Sequence, residues 1–358
     1  MKLVRKLSQI ESFVKGCEEQ QWWVGLDVHK KSYSVALRRG DGHICTWTSP
    51  PDPRALLATF ERNGVRPKLV VHEAGPTGYH LARVLISEGI KVRVGAPSRI
   101  PRPVAPGAKS DRLDCQRLAE YAARDMIEGI SIPTREEELF RAVVRRRQRL
   151  SNSIRACKQR IRALLLFHED GRGIELPSWK AANVQMLLES ELPLELRVLL
   201  ENHFAELHSL EHIRTSLDLE IEAMLRAHPD WDERQELLRT VPGIGPRAAI
   251  TFVAEMFQPE RFTSGNEVSS YLGLAPMVHH SGEKTPRGRL RPVGQKCLRT
   301  LLIEAAWVGW RIDPGMGAIY KRVLARSGQP QKAIVAVARK LGIILWRIAV
   351  ERREYYPM

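Results

Sequence analysis

The chain has 358 residues, with 56 Lys and Arg against 41 Asp and Glu, a formal net charge of +15. Hydrophobic residues make up 43% and charged residues 27%, which excludes a wholly disordered chain and leaves room for two or three domains with real cores. No apolar run approaches the ~20 residues that span a bilayer, the N-terminus lacks an apolar signal core, and the five scattered cysteines form no CxxC pair, so a reduced cytoplasmic setting without membrane or disulfide framework is expected.

The charge is unevenly placed. Between Glu189 and Glu236 there are 13 acidic and 4 basic side chains, so the rest of the chain is more basic than its total suggests. This asymmetry points to a polyanionic partner, most simply nucleic acid, although a basic surface kept for solubility would have the same composition.

Residues 22–130 alternate strand and helix signals. Trp22–Val28 and Ser32–Arg38 are β-rich runs around a polar turn, and Ile44–Thr48 follows the Gly40-Asp41-Gly42 turn. Asp52 caps a helix to about Asn63 with Pro53 at its first position. Lys68–His72 reads as a strand, Thr77–Ser87 as a helix, Lys91–Val94 as a strand, and a helix begins at Ser110 or Asp111 and runs to Met126. The order β-β-β-α-β-α-β-α is that of an RNase H-like mixed sheet flanked by helices. A Rossmann fold competes, but no GxGxxG follows the first strand.

Residues 135–230 change period. Val143, Leu150, Ile154, Cys157, Ile161 and Leu164 form a near-heptad seam, and a second seam comprises Leu207, Leu210, Leu217, Ile221 and Met224. Two long helices around a break predict an antiparallel hairpin or a dimerising coiled coil. Nine cations and no acid lie between Arg141 and Arg162, and Arg145, Arg146 and Arg149 are candidate nucleic-acid contacts. The acidic second helix would attract this basic one or serve another partner. Residues 237–352 read as a basic, mainly helical region, with a Gly-, Pro- and cation-rich loop over about His279–Gln295.

Four acids stand where chemistry needs them. Asp27 ends the first strand, Glu73 ends the fourth, and Asp111 and Asp114 lie three apart at a helix start. Strands one and four are neighbours in an RNase H-like sheet, and converging carboxylates are relieved by Mg²⁺, which favours hard oxygen ligands. Two such ions about 3.5–4 Å apart hold the attacking and leaving oxygens of a phosphodiester. Each acid also has a structural alternative: Asp27 in a turn, Asp111 as a helix cap, Asp114 paired with Arg117 or Lys109.

Two further features concern phosphate. The segment Leu237 to Ala249 has a helix–hairpin–helix pattern, with Gly243 and Gly245 allowing helix N–H groups to meet a phosphate; a plain helix-connecting turn is the alternative. Ser281-Gly282 precedes Lys284, Arg287, Arg289, Arg291, Lys296 and Arg299, cations suited to phosphate, while composition alone leaves Ser281 an ordinary loop serine.

These residues resemble the DEDD transposases of the insertion-sequence one-ten family, relatives of the pilin-gene invertases. The resemblance spans about Trp22 to Arg352. GxDxxK matches Gly25 to Lys30, the acid in EAxGxxG-type context matches Glu73 to Gly78, and K-[ST]-D-x-x-D-A matches Lys109 to Asp114, with Cys115 where Ala is common. PGIG matches Pro242 to Gly245, and GLxPxxxxSG matches Gly273 through Ser281-Gly282. The sequence departs in having His280 before Ser281 and an altered basic run from Gly288 to Lys296.

The resemblance implies a RuvC-like catalytic domain, a coiled coil for assembly as a dimer or tetramer, and a C-terminal serine domain. It implies that Asp27, Glu73, Asp111 and Asp114 bind Mg²⁺ near Ser281 of a neighbouring subunit. Ser281 would then form a phosphoserine link to DNA, with a noncoding bridge RNA pairing with the element ends and the target. A nucleoid-associated location follows. The rivals are a junction resolvase or nuclease that uses metal-bound water, and a noncatalytic nucleic-acid-binding derivative.

Overall fold

The computed structural model describes residues 9–17, 19–101, 111–171, 176, 178–278, 287–290 and 294–357, with the backbone alone at 111, 112, 277, 278 and 287–290. The chain divides into two compact units, residues 1–133 and 134–358.

The first unit is built on five strands: β1 (Trp22–Val28), β2 (Tyr33–Arg39), β3 (Ile44–Ser49), β4 (Pro67–Glu73) and β5 (Val92–Gly95). Their order in the sheet is β3-β2-β1-β4-β5. The first three strands form an antiparallel meander, whereas β4 runs parallel to β1, with Leu26 opposite His72, and β5 runs parallel to β4. Helices α1 (Pro53–Arg62), α2 (His80–Ser87) and α3 (Asp111–Ala123) complete the expected order.

Alternation along the strands explains the layers. Val24, Leu26 and Val70 face one side with Leu56 and Phe60 of α1 and Leu81 and Leu85 of α2. Ile10, in a helical turn over residues 9–14, joins that core. Leu69 and Val71 face the other side, against Leu118 and Ala122 of α3. The Asp52 cap and the Pro53 start of α1 are as expected, the Asp52 side chain accepting from the Arg54 N–H at 2.9 Å. By contrast α2 starts three residues later than Thr77, because residues 76–79 form a turn.

Among its described residues the second unit is helical apart from one small sheet. Helices α4 (Arg135–Phe167) and α6 (Leu194–Ala227) pack along each other, with α5 (Ala181–Glu189) after the break. They run antiparallel: Arg147 pairs with Asp218, Lys158 with Glu211 and Arg160 with Glu206, so rising numbers on one helix meet falling numbers on the other. Of the two expected arrangements, the hairpin within one chain is the one observed, and basic and acidic helices attract each other. Ile154, Cys157, Ile161 and Leu165 bury against Leu200, Phe204 and Leu207.

The remaining helices are α7 (Pro229–Arg239), α8 (Pro246–Glu255), α9 (Gly265–Tyr271), α10 (Lys296–Ile312), α11 (Pro314–Ser327) and α12 (Pro330–Glu351). They share a core with Phe140 and Val144 of α4. The expected loop over His279–Gln295 contains a strand: β7 (Arg287–Leu290) pairs antiparallel with β6 (Pro276–Val278). Backbone pairing, which has no side-chain signature in a run of arginines and glycine, makes this strand. Among the described residues, no helix is long and apolar enough to cross a membrane.

Candidate active site

Asp27 and Glu73 close neighbouring parallel strands, each one residue past the registered pair Leu26 and His72. Strand alternation puts Asp27 on the side of Gly25 and Glu73 on the side of Val71, which is the face covered by α3. That helix crosses β1 at Gly25, where a Cβ would stand 2.1 Å from the Cys115 carbonyl oxygen and 2.4 Å from the Ala119 nitrogen. Only glycine permits this approach, which brings the first turn of α3, with Asp114, to the end of β1 that carries Asp27. An ion pair between Arg38 and Glu120, 3.1 Å apart, ties the same helix to β2.

The electrostatics agree with this placement. The buried Cys115 thiol is pushed up to about 11, first by desolvation, then by the negative fields of Asp27 and Asp114. Asp27 Oδ2 lies 3.0 Å from His29 Nε2, so the ring orients the carboxylate when that nitrogen carries the proton. Glu73 is exposed, and Asp114 lies 3.4 Å from Arg117, the local pairing that the sequence allowed. The Asp27, Glu73 and Asp114 oxygens do not all lie within 4.8 Å of one another. Asp111 opens α3, its side chain outside the described residues. The carboxylates of Asp27 and Glu73, on one face at the same end of the sheet, are hard oxygen donors of the kind Mg²⁺ takes.

His72, unlike Asp27 and Glu73, is buried on the opposite face. Its Nδ1 lies 3.0 Å from the Glu73 carbonyl oxygen, its Nε2 has no hydrogen-bond partner among the described residues, and burial lowers its pKa. It packs beneath the site without joining it.

Other candidate residues are distributed. Ser281, Lys284 and Arg291 lie outside the described residues, as do His279 and His280. Arg287 and Arg289 lie on β7, Lys296 is exposed at the start of α10, and Arg299 donates to the Gly273 carbonyl at 3.3 Å. Gly243, at φ +89°, lies against α10: a Cβ there would meet the Ala305 carbonyl at 2.5 Å. Packing therefore explains Gly243, whereas Gly245, the N-cap of α8, has open space around it. Arg145 is committed to structure, donating to both oxygens of Glu255 at 2.6 and 2.7 Å. Glu255 is only 2% exposed, at the end of α8, so a basic helix face read as one surface is in part an internal brace. Arg146, Arg149 and Arg155 are exposed and in no ion pair among the described residues.

Comparison with known proteins agrees with this architecture. The profile of the IS110 DEDD transposase domain, described as "Transposase", matches residues 24–168, and that of the "Transposase IS116/IS110/IS902 family" matches residues 235–321. "Putative transposase y4qE" of Sinorhizobium fredii is 28% identical, covering 93% of this chain and 89% of its own. "Putative transposase y4rJ" of the same organism is 30% identical over 78% of this chain and 76% of its own. The "Pilin gene-inverting protein" of Moraxella bovis is 23% identical over 93% of this chain and 97% of its own. The class defined by fold, acids and relatives is that of DNA transposases and recombinases. Within it, the chain belongs to the IS110 family of transposases.

Proposed function

We propose that the chain cuts and rejoins DNA through a phosphoserine intermediate, with Asp27, Glu73, Asp111 and Asp114 holding Mg²⁺ in an RNase H-like, RuvC-like domain. The observation that carries the reading is the placement of Asp27 and Glu73 side by side at the carboxyl ends of β1 and β4 under α3. Mg²⁺ held there would supply Lewis acidity to a phosphate oxygen and offset the negative charge that builds on the phosphate oxygens. Asp27, steadied by His29, and Glu73 fix the site from the rigid sheet, and Asp114 approaches from the helix.

Ser281 is the nucleophile in this reading. Its hydroxyl loses a proton, its oxygen forms an ester to the DNA phosphate, and a DNA hydroxyl leaves. A hydroxyl of the recombining strand then attacks the same phosphorus, and serine departs with its proton restored. The phosphodiester bond energy is retained throughout, so no nucleotide triphosphate is consumed. Lys284, Arg287, Arg289, Arg291, Lys296 and Arg299 neutralise phosphates, and the open N-terminus of α8 at Gly245 offers N–H groups to a backbone phosphate in a helix–hairpin–helix manner. A bridge RNA pairing with element ends and target supplies sequence choice, leaving the protein to bind backbone and shape, and a dimer or tetramer assembled through the long helices brings Ser281 to a neighbouring acid site.

The test is strand transfer between element-end and target duplexes with Mg²⁺ and the element's noncoding RNA, followed by denaturing electrophoresis. A covalent protein–DNA adduct is expected from the unaltered chain and from neither Ser281→Ala nor Asp27→Ala. Nicked DNA without an adduct identifies a water-using nuclease, and strand exchange that persists in Ser281→Ala or without RNA overturns the serine or the guided step respectively.

A further inference from the structure

The α4–α6 hairpin carries a second group of ligating atoms, of different chemistry. Cys157 on α4 is wholly buried, facing His203 and Glu206, which lie one helical turn apart on α6. Cys157 Sγ is 3.7 Å from Glu206 Oε2, and His203 Nδ1 is 3.6 Å from the same oxygen. All three ligand atoms lie within 4.8 Å of one another.

These separations have a chemical meaning. A tetrahedral zinc centre, with bonds of about 2.3 Å to sulfur and 2.0–2.1 Å to nitrogen or oxygen, holds its ligand atoms about 3.3–3.5 Å apart. The sulfur–carboxylate and imidazole–carboxylate spacings exceed those edges by a few tenths of an ångström, and the sulfur–imidazole spacing is within 4.8 Å, so rotamer adjustment closes the set on an ion. One sulfur, one imidazole and one carboxylate suit zinc or another thiophilic divalent ion and are foreign to Mg²⁺. We infer that Cys157, His203 and Glu206 form a zinc-class metal site that staples α4 to α6.

The surroundings suit such a site. Leu200, Phe204, Leu207, Ile154 and Ile161 pack the same helix pair, and the Lys158–Glu211 ion pair fixes the neighbouring turn. Arg160 Nη2 donates to Glu206 Oε1 at 2.6 Å and Oε2 at 2.7 Å. On metal binding Oε2 turns to the ion while Oε1 keeps the guanidinium, which orients the carboxylate from outside. The Cys157 S–H, which points to the His203 carbonyl at 3.4 Å, exchanges its proton for the ion, so each ion bound releases one proton to solvent. His203 and Glu206 are partly exposed and leave the fourth position to water. The competing arrangement is a plain brace in which Arg160 and a weak thiol hydrogen bond serve Glu206 and no ion enters.

Cobalt(II) titration of the full-length, metal-stripped chain separates the two. The metal site yields tetrahedral ligand-field bands and a sulfur-to-cobalt charge-transfer band, saturating at one ion per chain, reversed by zinc and accompanied by a higher unfolding temperature. Oxygen-only binding at Asp27 and Glu73 gives no sulfur band, so Asp27→Ala leaves the signal intact. Cys157→Ser removes it, and His203→Gln or Glu206→Gln weakens affinity about tenfold or more, whichever of these variants folds. Absence of the sulfur band in the unaltered chain, or its survival in Cys157→Ser, overturns the inference.

Discussion

Gly25 lies directly beneath the carbonyl of Cys115, the two held at a distance that no other residue at position 25 allows. The glycine of the GxDxxK motif thus sets how closely α3 rides on β1, and through it how near Asp114 comes to Asp27.

Gly25→Ala forces α3 outward. Overpacking of this kind costs roughly 1–3 kcal/mol, more where backbone must move. The expected outcome is a lower unfolding temperature of the first unit and loss of strand transfer with nucleic-acid affinity retained. Unchanged strand transfer would mean that α3 has no part in the chemistry.

Arg145 and Glu255 give a stability effect in place of a binding one. Removing Arg145 strands a carboxylate that is 2% exposed, although Arg141 remains 3.9 Å away and Arg145 itself is half exposed. Those two facts discount the usual cost of breaking a buried pair to roughly 2–4 kcal/mol. Urea unfolding of Arg145→Ala should show that loss, with the salt dependence of nucleic-acid binding unchanged.

Arg146 and Arg149, exposed on the same helix, should behave in the opposite way. Their joint replacement by Gln is expected to leave stability within about 0.5 kcal/mol. If both meet phosphates, the slope of log affinity against log salt falls by about 1.8 for duplex DNA, or 1.4 for single strands. Binding isotherms at several salt concentrations measure it.

Asp41 contributes to the acid sensitivity of the first unit, alongside His72, whose pKa burial lowers. The Arg39 guanidinium, 2.7 Å from Asp41, holds that carboxyl well below the usual carboxylate range. A carboxyl depressed in the folded state stabilises it above the unfolded value of about 3.9, and that contribution is lost as pH falls below it. Asp41→Asn should therefore flatten the stability profile below about pH 4 and leave its shape near neutrality unchanged.

Strand and helix order in the first unit was legible because burial there follows simple periods. Alternating residues in β1, β2 and β4 separate the α1–α2 face from the α3 face, and Asp52-Pro53 marks a helix start whatever the surroundings. The hairpin was legible as two seams, since Ile154, Cys157 and Ile161 repeat at helical spacing. β7 was not, because its Arg-Gly-Arg-Leu composition carries no alternation and pairing with Pro276–Val278 alone makes it a strand.

For the sites, the chain itself determined which acids end strands and which cations crowd one helix, for these are local facts of residue type and spacing. Tertiary structure decided what each group faces. It set Asp27 and Glu73 on one side and His72 on the other, turned Arg145 inward to Glu255, and brought Cys157 to His203 and Glu206 from a helix 46 residues away in sequence. Partnership at that range depends on the register in which strands pair and helices pack, and a one-dimensional pattern does not encode which of several cations will meet a given carboxylate.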